Sequence, residues 1–170
     1  MRIVVEGYDA SGKSTLAQAL ANKLGLGVHE AGPKPKDDDH AISQSLNQLS
    51  LDNKVLCRIT PISRQAYQLD RSLSHYVELQ NLVKKLVNDH TIFIFCTGEA
   101  DNHVVKDHDT LEHLEYLDEY GETIKQRYED IFQSIDHYKY DFKIDDMEKF
   151  VCKIQQRFLK LTEKYGSKES

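Results

Sequence analysis

The chain predicts an α/β fold: a three-layer α/β/α sandwich built on a parallel sheet of about five strands. Short apolar runs alternate with longer helical patterns in the order β-α-β-α-β-α-β-α-β-α. Parallel neighbours need crossover connections, and right-handed crossovers lay helices over both sheet faces. Ile92-Phe93-Ile94-Phe95-Cys96 is apolar at every position, which suits a central strand covered on both sides. No linker, internal repeat or low-complexity tract interrupts the alternation, so residues 1–165 are expected to form one domain and 166–170 a fraying tail.

Each element has a local reason. The first strand is expected at about 2–6, where Ile3, Val4 and Val5 are β-branched. A helix at 13–24 follows, stopped by Gly25 and Gly27. After a second strand at about 27–30, Pro33 and Pro35 exclude helix from the connecting loop. Asp37-Asp38-Asp39 reads as a solvated turn in which Asp39 caps a helix at 41–51. A strand at 54–57, a long helix at 63–88, a strand at 91–96, a helix at 109–134, a strand at 140–144 and a helix at 147–165 complete the order. The segment 97–108 follows the central strand, where it can act as a lid.

Chemistry enters between the first strand and the first helix. Gly7-Tyr8-Asp9-Ala10-Ser11-Gly12-Lys13-Ser14-Thr15 is a phosphate-binding loop in the strand-loop-helix context that gives the pattern its meaning. The amides from Gly7 through Ala10, Ser11, Gly12, Ser14 and Thr15 can converge on phosphate oxygens, and the helix presents its positive end to the same anion. Lys13 is placed to reach the β and γ phosphates, and Ser14 to ligate Mg²⁺. ATP with Mg²⁺ is the expected donor.

The second signal is Arg58-Ile59-Thr60-Pro61-Ile62-Ser63-Arg64-Gln65-Ala66-Tyr67-Gln68. Together with Asp9 at the third position of the loop, it resembles thymidylate kinases, which carry G-x-D-x-x-G-K-S-T and then D-R-Y with S-x-x-A-Y-Q. The likeness covers about residues 1–96 through these motifs and the remainder through strand-helix order. His103 to Thr110, ahead of a long helix, is similar to small phage-encoded thymidylate-kinase-like proteins. The resemblance implies that Asp9 accepts a hydrogen bond from the acceptor's 3′-hydroxyl and that Arg58 contacts the acceptor phosphate, with Lys13 completing the catalytic set. It also implies a homodimer.

Around this centre, Lys34, Ser63, Tyr67 and Gln68 are candidates for the acceptor side, and His103 and Lys106 for the lid. Tyr67 can stack on a base or pack its helix, and Gln68 can pair with a pyrimidine edge. Arg64 and Arg71 are equally open to an acceptor role or a solvated helix surface. Arg127 reads as a salt-bridged surface residue of a polar helix.

Three departures from the family stand out. Cys57 replaces the aspartate that precedes the arginine, and a thiol is a poor partner for a hard cation. Ala10 stands where some thymidylate kinases have arginine, and the lid segment carries none. The loop after strand two offers Lys34 and Lys36 in place of arginine.

Net charge of -6 and a pI near 5.7 argue against a broad basic face for duplex DNA and suit a small anionic acceptor. Cys57, Cys96 and Cys152 make no C-x-x-C pair, so a reducing, cytoplasmic setting is expected, without zinc or disulfides. No apolar run approaches the ~18 residues of a membrane span. The leading expectation is ATP-dependent transfer to a deoxynucleoside monophosphate, with a thymidylate-like acceptor. The alternatives are a kinase acting on a hydroxymethylated pyrimidine in phage DNA, and a nucleotide-binding protein without turnover.

Overall fold

A computed structural model describes residues 1–30, 36–67, 73–88, 90–100 and 110–166. Its strands are β1 (Arg2–Gly7), β2 (Gly27–His29), β3 (Lys54–Cys57), β4 (Thr91–Cys96) and β5 (Tyr138–Tyr140). They form a five-stranded sheet in the order β2-β3-β1-β4-β5, and every pairing is parallel. The helices are α1 (Lys13–Leu24), α2 (Asp38–Leu49), α3 (Pro61–Tyr67), α4 (Leu73–Asn88), α5 (Leu111–Gln133) and α6 (Met147–Gly166).

The two-residue period of the strands divides the core. Ile3 and Val5 of β1, Val55 and Cys57 of β3, and Ile92, Ile94 and Cys96 of β4 point to one side, where Leu16, Leu20, Phe150 and Ile154 cover them from α1 and α6. Val4, Leu56, Phe93 and Phe95 point to the other, under Ile62, Leu86, Ile124, Tyr128 and Phe132 of α3, α4 and α5. Both faces are therefore dry, as the uninterrupted apolar run of β4 requires. The three-layer expectation is met.

Strand order also locates the ligand crevice. The chain builds β2 and β3 on one side of β1, then crosses to β4 and β5 on the other. Such a switch opens a gap beyond the carboxyl end of the central strand, the place where open α/β sheets bind ligands.

Several boundaries differ from the sequence expectation. Residues 141–144 form a turn, not strand: Asp145 Oδ2 accepts from Asp141 N at 2.8 Å, and Asp141 Oδ1 accepts from Lys143 N at 2.9 Å. These local side-chain bonds outcompete a sheet edge. The cap of α2 is Asp37, which accepts from His40 N at 2.8 Å, not Asp39, so α2 starts earlier than expected. The single helix expected at 63–88 is two described helices, α3 and α4, with residues 68–72 outside the described residues. Helix α3 begins at Pro61 because proline suits the first helical position and Thr60 Oγ1 accepts from Ile62 N at 3.2 Å. No described helix is long and apolar enough to cross a membrane.

Gly7 ends β1 in register with Cys96 of β4. A Cβ there would lie 2.3 Å from the Cys96 carbonyl oxygen and 2.9 Å from Ser11 Oγ. Backbone cannot yield as a side chain does, so Gly7→Ala should destabilise the chain by about 2–3 kcal/mol. Urea denaturation of the two proteins measures this; an unchanged midpoint contradicts the tight β1–β4 junction.

Candidate active site

The site begins inside the core. Glu6 is fully buried (0% exposed) next to the end of β1. Its Oε1 accepts from Thr60 N at 3.1 Å and Thr60 Oγ1 at 2.7 Å, and its Oε2 from Tyr128 Oη at 3.3 Å. One carboxylate thus ties the central strand to the β3–α3 turn and to α5. Sequence reasoning assigned Glu6 no role; a charged residue inside an apolar strand was the available signal.

Beyond Glu6 the chain turns through the phosphate-binding loop. Ala10 and Gly12 have φ of 58° and 82°, left-handed conformations that turn successive amides toward a common point. Gly12 caps α1 without a side-chain cap bond, leaving the first-turn amides available to an anion. Lys13 Nζ donates to the carbonyls of Gly7 at 2.6 Å and Tyr8 at 3.0 Å, so the ammonium lies back over its own loop. The Phe142 ring, from the turn after β5, comes within 3.4 Å of the Cβ position at Gly12.

Asp9 stands at the crevice with both oxygens engaged. Oδ1 accepts from Tyr67 Oη of α3, and Oδ2 lies 3.0 Å from His113 Nε2 of α5. Burial pushes the Asp9 carboxyl up, but the bonds from Tyr67 and His113 and the charge of Lys13 outweigh it, leaving the group below its ordinary value. Tyr67 is in turn held by Tyr116, whose hydroxyl donates to the Tyr67 carbonyl. Burial, followed by the charge and hydrogen bond of Asp9, pushes the Tyr67 hydroxyl far up, so it serves as a donor. The Tyr8 and Tyr67 rings stack, with centroids 6.4 Å apart and planes within 6°.

The β3–α3 turn brings up Arg58. Arg58 and Ile59 are successive non-glycine residues at positive φ, 64° and 41°, a costly combination that persists where surrounding bonds enforce it. Gln48 Nε2 donates to the Ile59 carbonyl at 2.9 Å, and Glu6 holds Thr60 next door. The Arg58 side chain is 40% exposed, with Glu30 at 3.9 Å as a loose partner.

Cys57 lies fully buried at the end of β3. Burial pushes its thiol up to about 11, the Glu6 charge adds to this, and Lys13 with a hydrogen bond from Ser14 opposes it. It therefore stands beside Ser14, protonated at neutral pH.

Other candidates fall differently. Ser63 is buried and donates to the Thr60 carbonyl at 3.1 Å, a bond within the start of α3. Arg64 is 4% exposed, and its Nη2 donates to Gln44 Oε1 at 2.6 Å; a solvated surface is ruled out for it. Arg127, expected to be salt-bridged at the surface, is part-buried and donates to the Gln65 carbonyl at 3.3 Å. Lys34, Gln68, Arg71, His103 and Lys106 lie outside the described residues. His113, Tyr116 and Lys125 were missed, since polar residues on a long helix carry no spacing signal for partners as distant in sequence as Asp9, Tyr67 and Tyr8. Lys125 Nζ sits 4.9 Å from the Tyr8 ring centre, paired with Glu99 at 3.3 Å and Glu122 at 3.1 Å. Among the described residues, no three His, Cys, Asp or Glu side chains gather to hold a metal.

The lowered Asp9 ionisation has a sign that can be checked. A group more acidic in the folded state stabilises the fold above its ordinary value of 3.8, and that contribution is lost as pH falls through the lower folded value. Between pH 6 and pH 3 the wild type should lose more stability than Asp9→Asn, as read from urea midpoints. Parallel curves would show that Asp9 is not held as described.

No protein-family model and no curated protein matches the chain. Solved structures do. The YorR protein of Bacillus subtilis, in complex with phosphorylated GDP, is similar over 97% of this chain and 98% of that one, with a TM-score of 0.71 and 16% identity. Deoxyadenosine kinase of M. mycoides, with dCMP and a flexible dCDP bound, is similar over 95% and 100%, with a TM-score of 0.55 and 18% identity. Thymidylate kinase of Candida albicans is similar over 94% and 91%, with a TM-score of 0.57 and 17% identity. The parallel sheet, its helical layers and the loop after β1 are thus the fold of the P-loop kinases, carried over nearly the whole chain.

Proposed function

We propose that the protein is an ATP-dependent kinase that transfers the γ-phosphate to a deoxynucleoside monophosphate, with a thymidylate-like acceptor. The observation that carries this reading is the placement of Asp9. The residue sits within the phosphate-binding loop, four positions before Lys13, with its carboxylate fixed toward α3 and α5. Donor and acceptor machinery thus share one rigid loop.

Phosphoryl transfer asks a protein chiefly for alignment and positive charge. An acceptor phosphate oxygen attacks the γ-phosphorus as the bond to the β-bridging oxygen breaks, giving a nucleoside diphosphate and ADP. The acceptor phosphate is already anionic, so no general base is required. Lys13 would leave the Gly7 and Tyr8 carbonyls for the β and γ phosphates, and the amides of Ala10 to Thr15 would cradle the same oxygens. Arg58 would face the acceptor phosphate, and Asp9 the sugar hydroxyl. Tyr67, fixed by Asp9, would border the acceptor base.

The residues present fit Mg²⁺ in part. Ser14 provides a hard oxygen, and a cation that keeps several waters and binds substrate phosphates needs few protein ligands. When bound with ATP it neutralises phosphate charge. Cys57, protonated and buried beside Ser14, adds no oxygen there. That contact favours a second reading, a nucleotide-binding protein without turnover.

Incubating the protein with labelled ATP and a panel of deoxynucleoside monophosphates, with hydroxymethylated DNA as a further arm, tests the proposal. A labelled diphosphate, lost by about 10²–10³-fold or more in Lys13→Ala, is the expected outcome. Label in the DNA arm alone overturns the acceptor class. Binding of ATP without product in any arm favours the second reading. Cys57→Asp should lower the Mg²⁺ concentration for half-maximal turnover several-fold, because a carboxylate adds charge near the ion. A Mg²⁺ titration alongside a melting curve checks this; an unchanged requirement in a folded variant places Cys57 outside the ion's surroundings.

A further inference from the structure

Helix α5 follows the phosphate-binding loop along much of its length. His113, in its first turn, meets Asp9. Tyr116, one turn on, holds the carbonyl of Tyr67. At Gly121 the helix surface is bare, and an added Cβ would lie 2.6 Å from Tyr8 Oη. Lys125 then lies over the Tyr8 ring. Four contacts along α5 thus bring it against Tyr8, Asp9 and Tyr67.

The Asp9 contact differs from the others in chemistry. An ionised carboxylate only accepts, so the 3.0 Å approach of His113 Nε2 is a hydrogen bond donated by the imidazole. One donor, Tyr67, leaves the carboxylate free to turn about its Cβ–Cγ bond. Two donors on different oxygens, from different helices, fix its plane. Each oxygen keeps a further acceptor site for a ligand hydroxyl. His113 is itself fixed, because its backbone N–H donates to the Thr110 cap at 3.1 Å. Its side chain is 39% exposed, so it borders the crevice rather than the core.

We infer that His113 is a positioning residue for the acceptor: its Nε2–H sets the orientation in which Asp9 receives the acceptor's sugar hydroxyl. The inference rests on the reading of Asp9 under the proposed function. It predicts that α5 controls hydroxyl recognition while leaving the donor site alone.

The test compares binding of thymidine 5′-monophosphate and its 3′-deoxy analogue to the whole chain by calorimetry, alongside KM for each substrate. Wild type should prefer the hydroxylated nucleotide about tenfold, the scale of one charge-assisted hydrogen bond. His113→Ala should bring that preference close to one and raise the acceptor KM about tenfold, with the ATP KM unchanged. His113→Gln, whose amide nitrogen reaches the position of Nε2, should restore both. His113→Asn, one carbon shorter, should not. If the alanine variant fails to fold, the Gln and Asn pair carries the comparison, with melting curves for each. A full preference retained in folded His113→Ala or His113→Asn overturns the inference and leaves the proposed function standing. A wild type indifferent to the 3′-hydroxyl overturns the reading of Asp9 and the role of His113 with it.

Discussion

The buried carboxylate of Glu6 is the constraint from which the site is built. Next to the end of β1 and 0% exposed, it is satisfied by donors within the protein, and an unmet buried charge costs several kcal/mol. The backbone and hydroxyl of Thr60 and the hydroxyl of Tyr128 supply them. The two residues belong to different parts of the crevice wall. Thr60 opens α3, which carries Tyr67; Tyr128 belongs to α5, which carries His113. The carboxylate that satisfies itself in the core thereby sets two walls of the site relative to the loop that follows β1.

The same anchoring accounts for the backbone at Arg58 and Ile59. Left-handed φ at two consecutive non-glycine residues is a local expense of order 1–3 kcal/mol each. It is tolerated because both ends of the segment are fixed: Cys57 pairs in register with Val5 of β1, and Thr60 is tied to Glu6. The turn has no room for a relaxed path. Its effect is to leave the Arg58 side chain half in solvent at the carboxyl edge of the sheet, where a mobile cation can meet an anionic ligand without first leaving a buried ion pair.

The sheet, both helical layers and the phosphate-binding loop were legible in the sequence because their signals are local. Strand β4 is apolar at each position, and Gly7, Gly12, Lys13 and Ser14 stand at a fixed spacing between a strand and a helix. The misplaced boundaries were also local, but decided by side-chain bonds that composition does not display, such as those of Asp37 and Asp141. The surroundings of Asp9 were read only in part. Asp9 and Tyr67 were singled out separately, yet their bond joins residues 58 positions apart, and that of Asp9 with His113 joins residues 104 apart. Such pairs are created where α3 and α5 pack beside the loop that follows β1. Arg64 was left open between an acceptor role and a solvated surface, a choice that its enclosure beside Gln44 of α2 decides against the solvated surface.

The arrangement of charge in the crevice separates what is held from what is free to act. Lys125 is shared between Glu99 and Glu122, and Arg64 is enclosed against Gln44. Moving Lys125 to a phosphate would take it from two carboxylates, and moving Arg64 would empty a packed position. Lys13 differs: its hydrogen bonds among the described residues go to neutral carbonyls. Exchanging these for phosphate oxygens replaces neutral bonds with charge-assisted ones, which are roughly twice as strong, and leaves no carboxylate behind. Asp9 has the opposite sign, and a carboxylate near a triphosphate is repelled. Its two donors, from α3 and α5, lower that cost by spreading the negative charge into helices that the sheet already holds in place. An anionic group can then be kept within the phosphate-binding loop, and under the proposed function a second substrate bound to it would lie close to the donor.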